Sequence, residues 1–394
     1  MNTRTPRAPV IVVGGGIGGL AAAFSLATQA GWPVQVFEQA AEFKEIGAGI
    51  QLGPNVFKMF DRLGLIEEIR TLAAFPDALV MMDSTTSEEV VRIPVGDGFR
   101  ARFDYPYALI HRADLHRVLL DACRRTPGIQ LHAGTKIVDT SDQGDAVCVR
   151  AADGETFTGA ALVAADGLWS TTRAQLVADG KPRVSGHIAY RAVLPTREFP
   201  ERFRRNEMVL WAGPKNHLVH YPLRRGDLYN LVAVFHSARY DEGWDAYGDP
   251  NELRERFSQT CETVRTLLGK IQDWRMWVLC DREPVKEWSK GRMTLLGDAA
   301  HPMLQYLAQG ACMAIEDAVV LADQVAAAAG DFEAAFRNYR NARYLRTGRC
   351  QIMARVYGEF YHATGVTREL RNQMLAARSV DDSYEGMAWL YDGI

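Results

Sequence analysis

The chain has 394 residues, of which 47% are hydrophobic and 24% charged, and its formal net charge is -3. These proportions are typical of a soluble globular protein of two or three domains. The 45 basic and 48 acidic residues are interleaved, so neither a nucleic acid nor an anionic membrane surface is favoured as a partner. Six cysteines lie at least 19 residues apart, which argues against a zinc knuckle, a C-x-x-C dithiol and a disulfide scaffold and fits a reducing cytoplasm.

The N-terminal part of the chain contains 30 residues without a charge, from Ala8 to Phe37. Such a stretch can be an export signal or a membrane anchor. Here it consists of a β-branched run, Pro9 to Val13, then a glycine cluster and an Ala/Leu-rich segment, Leu20 to Ala27. Because five glycines in six positions would destabilise a membrane helix, we predict a strand, a turn and a helix, without membrane insertion.

Within this stretch, Gly14, Gly16 and Gly19 have the G-x-G-x-x-G spacing of a dinucleotide-binding turn. Such glycines allow a tight turn, close approach of a pyrophosphate and close packing of helix on strand, and the helix N-terminus faces the phosphates. A second strand, 34–37, ends at Glu38, where a carboxylate can accept hydrogen bonds from ribose hydroxyls. No basic residue directly follows Glu38, which disfavours a ribose 2′-phosphate and leaves FAD or NAD as the ligand.

Two later segments place acidic residues after short apolar runs that predict buried strands. The run 161–165 leads into D-G-L-W-S-T-T-R, which contains Asp166 and Arg173, and the run 293–296 leads into G-D-A-A-H-P, which contains Asp298 and Pro302. Open α/β sheets bind ligands at the ends of their strands. Asp298 could also cap a helix, and the two roles are compatible.

These three ordered motifs resemble the class A flavoprotein aromatic hydroxylases. The resemblance implies an α/β fold, with a Rossmann-like FAD-binding domain of the para-hydroxybenzoate hydroxylase type, a β-sheet substrate domain and C-terminal helices. It also implies that Arg112, in the segment H-R-A-D-L, contacts FAD. By the same resemblance, the ADP half of FAD is bound by Gly14, Gly16, Gly19 and Glu38. FAD and NAD(P)H are positioned by Asp166 and Arg173, and the ribityl chain is bound by Asp298 with Pro302.

The chain has no second G-x-G-x-x-G motif after a strand. We therefore expect no dedicated nicotinamide domain, and the resemblance implies that NADH or NADPH binds transiently as a co-substrate and that the protein is a homodimer. The predicted domains are a discontinuous FAD-binding domain (1–75, 100–183 and 290–330), a substrate domain (76–99 and 184–289) and a C-terminal helical region (331–394).

The segment from Asn216 to Arg224 combines polar and apolar residues in the middle of the predicted substrate domain. In a strand, His217, Val219 and Tyr221 would share one face, and His220 would lie on the other. A base and a phenol on one face suit a phenolic acid, although both could equally be structural. His217, with an ordinary pKa of about 6.5, would be the natural proton acceptor.

Within the family, the chain is most similar to the hydroxylases of 3-hydroxybenzoate. This similarity implies that His217 and Gln305 bracket the substrate phenol, that Tyr221 meets its carboxylate, and that O2 is used through a flavin C4a-hydroperoxide to form 2,5-dihydroxybenzoate (gentisate). The alternatives are hydroxylation of salicylate at carbon 1, hydroxylation of 6-hydroxynicotinate at carbon 3 and, in a different class, a non-catalytic FAD-binding redox module. We expect His301, beside the third motif, to have a structural or flavin-packing role.

Overall fold

The computed structural model describes residues 7–45, 47–237, 246–271 and 273–393. The parts of the predicted domains that fall on the remaining positions lie outside the described residues. The strands are β1 Val10–Val13, β2 Val34–Phe37, β3 Gly49–Leu52, β4 Ala78–Asp83, β5 Glu89–Pro94, β6 Ala108–His111, β7 Ile129–His132, β8 Ile137–Asp142, β9 Val147–Ala151, β10 Thr156–Gly159, β11 Ala161–Ala164, β12 Arg183–Pro195, β13 Glu207–Gly213, β14 Asn216–Leu223, β15 Leu228–His236, β16 Ala246–Tyr247, β17 Arg275–Asp281, β18 Ser289–Lys290 and β19 Met293–Leu295.

The helices occupy the intervals between these strands and most of the C-terminal part of the chain. They are α1 Ile17–Thr28, α2 Pro54–Arg62, α3 Ile66–Leu72, α4 Asp97–Phe103, α5 Arg112–Arg125, α6 Thr171–Leu176, α7 Pro250–Arg256, α8 Glu262–Leu268, α9 Gly310–Ala327, α10 Phe332–Tyr361, α11 Gly365–Ala376 and α12 Val380–Tyr391.

A six-stranded sheet has the order β18-β19-β11-β1-β2-β7, and all its neighbours are parallel except β18 with β19. Its strands are short, and the central strands β1 and β11 are apolar; all four residues of each are buried, as expected for a parallel sheet covered on both faces. The chain continues from β1 to β2 on one side, and β11 lies on the other. The carboxyl end of β1 is therefore a topological switch point, where such sheets bind ligands.

The uncharged N-terminal stretch contributes β1, the glycine turn, α1 and β2 to this sheet and its covering layer. The predicted strand and helix are thus confirmed, and α1 packs against both α9 and α5. Among the residues that the structure describes, no helix combines the length and the apolar character needed to cross a bilayer.

An eight-stranded sheet has the order β16-β17-β12-β15-β14-β13-β4-β5, and its strand β14 contains the polar and apolar segment that begins at Asn216. One face of this sheet, which includes Leu218, packs against α7 and α8. The opposite face, which includes Val219 and Val232, packs against Tyr306 and Tyr361. The alternation predicted for β14 is therefore confirmed.

Helix α10 connects the two sheets. It contacts α9 and β18 on the side of the six-stranded sheet, and it also contacts the 3-10 turn 305–307. A Cβ at Gly358 would lie 2.8 Å from the ring of Tyr306, so glycine allows the helix to approach this turn closely. The predicted domain boundaries remain a prediction, which the pairing of β4 and β5 with the strands of 184–289 supports.

Candidate active site

The glycine turn after β1 contains two positions where a Cβ would clash with the protein backbone and one position where it would not. Gly14 has φ +106°, and a Cβ there would lie 2.3 Å from the carbonyl oxygen of Ala165. A Cβ at Gly19 would lie 1.9 Å from the carbonyl oxygen of Gly14. A Cβ at Gly16 would instead meet only Glu45 Oε1, at 3.6 Å. The N-terminus of α1, which has neither a side-chain cap nor an acidic residue in its first turn, is thus open to an anion.

Glu38 holds this turn from the end of β2. Its Oε2 accepts a hydrogen bond from the backbone N–H of Gly15 at 2.7 Å, and its Oε1 accepts one from Ala40 at 2.8 Å. A carboxylate has about four lone-pair sites, so both oxygens can still accept hydrogen bonds from hydroxyl groups. The position is the one at which the sequence predicts a ribose contact.

Asp166 and Arg173 lie on the loop and helix that follow β11, but they are used differently. Asp166 accepts a hydrogen bond from the Thr171 N–H at 3.0 Å, while its Oδ1 has no partner of hydrogen-bonding geometry in the described part of the chain. Burial raises the pKa of Asp166. Arg173 is fully buried, and its guanidinium donates to Asp179 and to the carbonyls of Ala299 and Ala300. It therefore supports the turn around residue 298 from within the protein.

Asp298 lies in the 3-10 turn Gly297–Ala299, whereas α9 begins only at Gly310 with Gln309 at its N-cap. Asp298 does not cap this helix. Its side chain is solvent accessible, yet the surrounding protein desolvates it and raises its pKa, while Arg112 opposes that rise. Accessible but desolvated charges are expected in a deep cleft. Arg112 itself pairs with Glu45 at 2.9 Å.

The segment after Asp298 is held by structural contacts. His301 is buried, with Nε2 2.5 Å from Asp317 Oδ2, which agrees with the expected structural role. The carbonyl of Pro302 accepts a hydrogen bond from Gln351 Nε2 at 3.1 Å. The open glycine turn, the unpartnered Asp166 oxygen and the accessible Asp298 together fit a dinucleotide with a polyol chain, as FAD has.

The eight-stranded sheet brings the predicted substrate residues to one face. Its register forms rows of three residues, one each from β14, β15 and β12. The rows are His217-Val234-Ala189, Val219-Val232-Arg191 and Tyr221-Asn230-Val193. Successive rows are two residues apart along the strands, so the side chains of all three rows lie on the same face of the sheet. Arg191, which the sequence analysis did not single out, lies in the row between those of His217 and Tyr221.

His217 is buried, and its Nδ1 lies 2.7 Å from Nε2 of His362. Burial, reinforced by the nearby His187, lowers the pKa of His217 to about 3. This pKa lies well below the ordinary histidine value near 6.5, because an imidazolium cation at this position would be poorly solvated. His220 points to the opposite face, where its Nε2 accepts a hydrogen bond from Trp211 Nε1 at 3.1 Å.

Tyr221 is buried against the short strand β3. A Cβ at Gly49 would lie 2.5 Å from its ring, so the close approach requires glycine. Asn230 fixes the same place by accepting a hydrogen bond from the Gly49 N–H at 2.8 Å. Burial raises the pKa of Tyr221, so its hydroxyl stays protonated and can donate a hydrogen bond.

Gln305 lies in the 3-10 turn that α10 supports, and its Oε1 accepts a hydrogen bond from the Arg191 guanidinium. That guanidinium also lies 5.2 Å from the centre of the Trp277 ring. Burial lowers the pKa of Arg191 to about 10; Tyr221 opposes the shift and Arg112 adds to it. Among the described residues, Arg191 has no carboxylate partner.

Two fully buried arginines differ from the partly exposed Arg191 in this respect. Arg173 pairs with Asp179, and Arg343 pairs with both Glu316 and Asp317. Because a buried charge is normally paired, the unpaired guanidinium of Arg191 is available to an anionic ligand. No local sequence signal identifies this residue, since only the strand register brings it beside His217.

The comparisons with known proteins agree with this geometry. Residues 7–343 match the family described as FAD binding domain. The chain is 46% identical to a 3-hydroxybenzoate 6-hydroxylase of Klebsiella oxytoca, over 97% of this chain and 96% of that protein. It is 45% identical to a 3-hydroxybenzoate 6-hydroxylase of Polaromonas naphthalenivorans, over 97% and 95%. A 6-hydroxynicotinate 3-monooxygenase of Pseudomonas fluorescens is 34% identical, over 89% and 90%.

Solved structures show the same fold. Klebsiella pneumoniae HpxO complexed with FAD and uric acid has a TM-score of 0.86 at 25% identity, covering 99% of this chain and 98% of the other. A salicylate hydroxylase substrate complex has a TM-score of 0.83 at 26% identity, covering 99% and 96%. The chain belongs to the FAD-binding domain family and, within it, to the class A flavoprotein aromatic hydroxylases.

Proposed function

We propose that this FAD-dependent aromatic monooxygenase hydroxylates 3-hydroxybenzoate para to its hydroxyl group and releases 2,5-dihydroxybenzoate (gentisate). The observation that carries the proposal is the arrangement of His217, Arg191 and Tyr221 in three adjacent rows of one sheet face. The outer two rows are separated by four residues of β14, or about 13 Å, so side chains projecting from both leave room for one aromatic ring. When bound, FAD reduced by NAD(P)H would activate O2, which supplies the oxygen atom inserted into the ring.

The carboxylate of the substrate would bind at Arg191 and Tyr221. The guanidinium supplies a positive charge that no carboxylate of the described residues neutralises, and the protonated Tyr221 hydroxyl supplies a second donor. Charge-assisted hydrogen bonds of this kind are among the stronger ones in proteins. A carboxylic acid is therefore favoured over an uncharged phenol.

The phenolic hydroxyl of the substrate would lie between His217 and Gln305. His217 Nδ1 is occupied by His362, which leaves Nε2 to accept the phenolic proton. Gln305 uses its carbonyl oxygen for Arg191, which leaves its NH2 group to donate to the developing phenolate. Removal of the proton raises the electron density of the ring at the position para to oxygen, which is the position to be hydroxylated.

FAD would be held by residues along the cleft at the carboxyl ends of β1, β2 and β11. We propose that Gly14 and Gly19 shape the turn, that Gly16 admits the pyrophosphate and that Glu38 binds the ribose. We propose further that Asp298 binds the ribityl chain, that Asp166, Arg112 and Pro302 line the remaining path, and that Arg173 acts by positioning the Asp298 turn.

The test is regiochemistry. The purified holoenzyme is supplied with NADH or NADPH, O2 and, separately, each hydroxybenzoate isomer and 6-hydroxynicotinate, and the products are separated by chromatography. We expect gentisate from 3-hydroxybenzoate. Catechol and carbon dioxide from salicylate, with 3-hydroxybenzoate giving only peroxide, would contradict the proposal. A non-catalytic redox module would show no acceleration of NADH oxidation by any aromatic acid.

We also propose a cytoplasmic homodimer. All six cysteines are free, which supports a reducing compartment. Helices α10 and α11 expose apolar side chains at helical spacing, and such surfaces mark interaction sites. The exposed residues are Leu345, Ile352, Val356, Val366, Leu370 and Met374. Light scattering should report a dimer for the wild type and a monomer for Leu370→Asp; a wild-type monomer would contradict the assignment.

A further inference from the structure

The candidate base His217 is the first of three histidines whose rings are hydrogen-bonded in series. Nδ1 of His217 lies 2.7 Å from Nε2 of His362, and Nδ1 of His362 lies 3.0 Å from Nε2 of His236. His217 and His362 are buried, whereas His236 is partly exposed. The three rings therefore form a continuous hydrogen-bonded path from the substrate face towards the surface.

The buried rings of this path are poor cations. The pKa of His217 is lowered to about 3, and burial together with the neighbouring histidines lowers that of His362 well below its usual value. A proton that arrives at His217 is consequently not retained there as an imidazolium ion. A neutral imidazole can nevertheless accept a proton at one nitrogen while releasing one from the other.

We propose that His362 and His236 act as positioning residues of a proton relay that carries the phenolic proton of the substrate from His217 to solvent. This inference rests on the proposed function, because the proton comes from the phenol. Neither residue touches the substrate; both act through His217.

The proton transfers balance along the path. At the start each ring carries its proton on Nδ1, and those of His217 and His362 are donated to Nε2 of the next ring. The phenol gives its proton to Nε2 of His217, Nδ1 of His217 gives its proton to Nε2 of His362, and Nδ1 of His362 gives its proton to Nε2 of His236. Nδ1 of His236 releases the last proton to water. All three rings end neutral, as the other tautomer, and the substrate remains as the phenolate.

The surroundings of His236 favour release at neutral pH. Burial lowers the pKa of His236, Lys215 and Arg256 lower it further, and Glu359 opposes them. Arg371 acts on His362 in the same direction as the neighbouring rings. Positive charges thus disfavour storage of a proton within the path, while leaving the neutral tautomers unaffected.

His187 forms a branch of the cluster rather than part of the path. Its ring centre lies 4.2 Å from that of His236, and its Nδ1 is 2.6 Å from the hydroxyl of Tyr306. The ligand atoms of His187, His236 and His362 lie within 4.8 Å of one another and could hold a divalent cation. A cation there would occupy the imidazole nitrogens that the relay needs, so metal content separates the two possibilities.

The experiment measures coupled hydroxylation, as gentisate formed per NADH oxidised and as its rate, between pH 6.5 and 9.5. The holoenzymes compared are the wild type, His362→Gln, His236→Gln and His220→Gln. Glutamine keeps a hydrogen-bonding side chain but cannot exchange one ring proton for another. His220 is a matched control, since it is a buried histidine of the same strand on the opposite face.

We expect His362→Gln to lose about 10²-fold in hydroxylation rate at pH 7, the scale of general-base catalysis. The loss should shrink about tenfold per pH unit as the bound phenol ionises without help, and it should be smaller for a fluorinated substrate with a more acidic phenol. His236→Gln should show the same trend to a smaller degree, and because its site is partly exposed it is expected to fold. His220→Gln should show no such dependence on pH.

Three results would overturn the relay. One is an unchanged hydroxylation rate in both His362→Gln and His236→Gln. Another is a loss of the same size at every pH, which indicates a merely structural role. The third is a stoichiometric divalent metal in the purified enzyme whose removal by a chelator abolishes hydroxylation. If the wild type hydroxylates no phenolic acid, the proposed function fails as well, which distinguishes that failure from failure of the relay alone.

Discussion

Replacing Arg191 with methionine should stabilise the protein and weaken substrate binding at the same time. The partly exposed guanidinium has no carboxylate partner in the described part of the chain, and desolvation by the surrounding protein lowers its pKa from 12.5 to about 10. A shift of that size corresponds to about 3 kcal/mol of unfavourable charge burial. Partial exposure of the side chain reduces this to about 2 kcal/mol, and loss of the hydrogen bond to Gln305 removes about 1 kcal/mol more.

The expected result is therefore a gain of about 1 kcal/mol in the free energy of unfolding of Arg191→Met, or roughly 2 °C in Tm. Binding should change in the opposite direction. A hydrogen bond to a charged group contributes about 1.5–3 kcal/mol, so the Kd for 3-hydroxybenzoate should rise about 10- to 150-fold. The uncharged analogue 3-hydroxybenzamide should bind the wild type and the variant alike.

The assay is thermal unfolding of the holoenzyme with and without each ligand, together with a binding titration. Arg343→Met is the contrasting variant, because Arg343 pairs with Glu316 and Asp317 in the interior. Its removal takes one buried cationic partner from each carboxylate and leaves Glu316 with Arg346 and Asp317 with His301, so we expect a destabilisation of about 3 kcal/mol. An unchanged Kd for 3-hydroxybenzoate in Arg191→Met would refute the assignment of Arg191 to the carboxylate.

Three further predictions concern the base, the acid stability and the cofactor turn. His217→Gln should bind FAD and oxidise NADH while losing coupled hydroxylation, measured as gentisate per NADH; unchanged coupling would remove His217 from the reaction. The pKa values of His217 and His220 are lowered to about 3 in the folded chain. Below pH 6.5 the unfolded chain therefore binds protons that the folded chain excludes, so the free energy of unfolding decreases as the pH is lowered. At pH 5 the decrease is roughly 4 kcal/mol for the two histidines together. Urea unfolding at pH 5 and pH 8 measures this, and His220→Gln should flatten the dependence. Gly16→Ala should fold, as measured by thermal unfolding, but bind FAD more weakly. Gly19→Ala places a Cβ 1.9 Å from a backbone oxygen and should not form a stable fold. Equal behaviour of the two variants would contradict their separate roles.

The cofactor half of the site was the more predictable from sequence because its signals are local. Gly14 has a positive φ, Gly19 packs against the Gly14 carbonyl within the same strand-turn-helix unit, and Glu38 follows the next strand. Asp298 was identified too, but the structure removed its alternative role as a helix cap, since α9 begins 12 residues later. Local sequence spacing can indicate a turn, but it cannot fix where the following helix starts.

The sequence by itself determined the family, the dinucleotide turn and the face of β14 that carries His217 and Tyr221, because all of these follow from neighbouring residues and a two-residue strand period. Tertiary structure alone decided which residues from distant segments join them. Arg191 reaches this face through the pairing of β12 with β15, and His362 through the end of α10. Burial by these same segments also changed the chemistry of His217 from an ordinary base to a ring that stays neutral. Desolvation depends on everything that surrounds a group, so no local pattern can encode it.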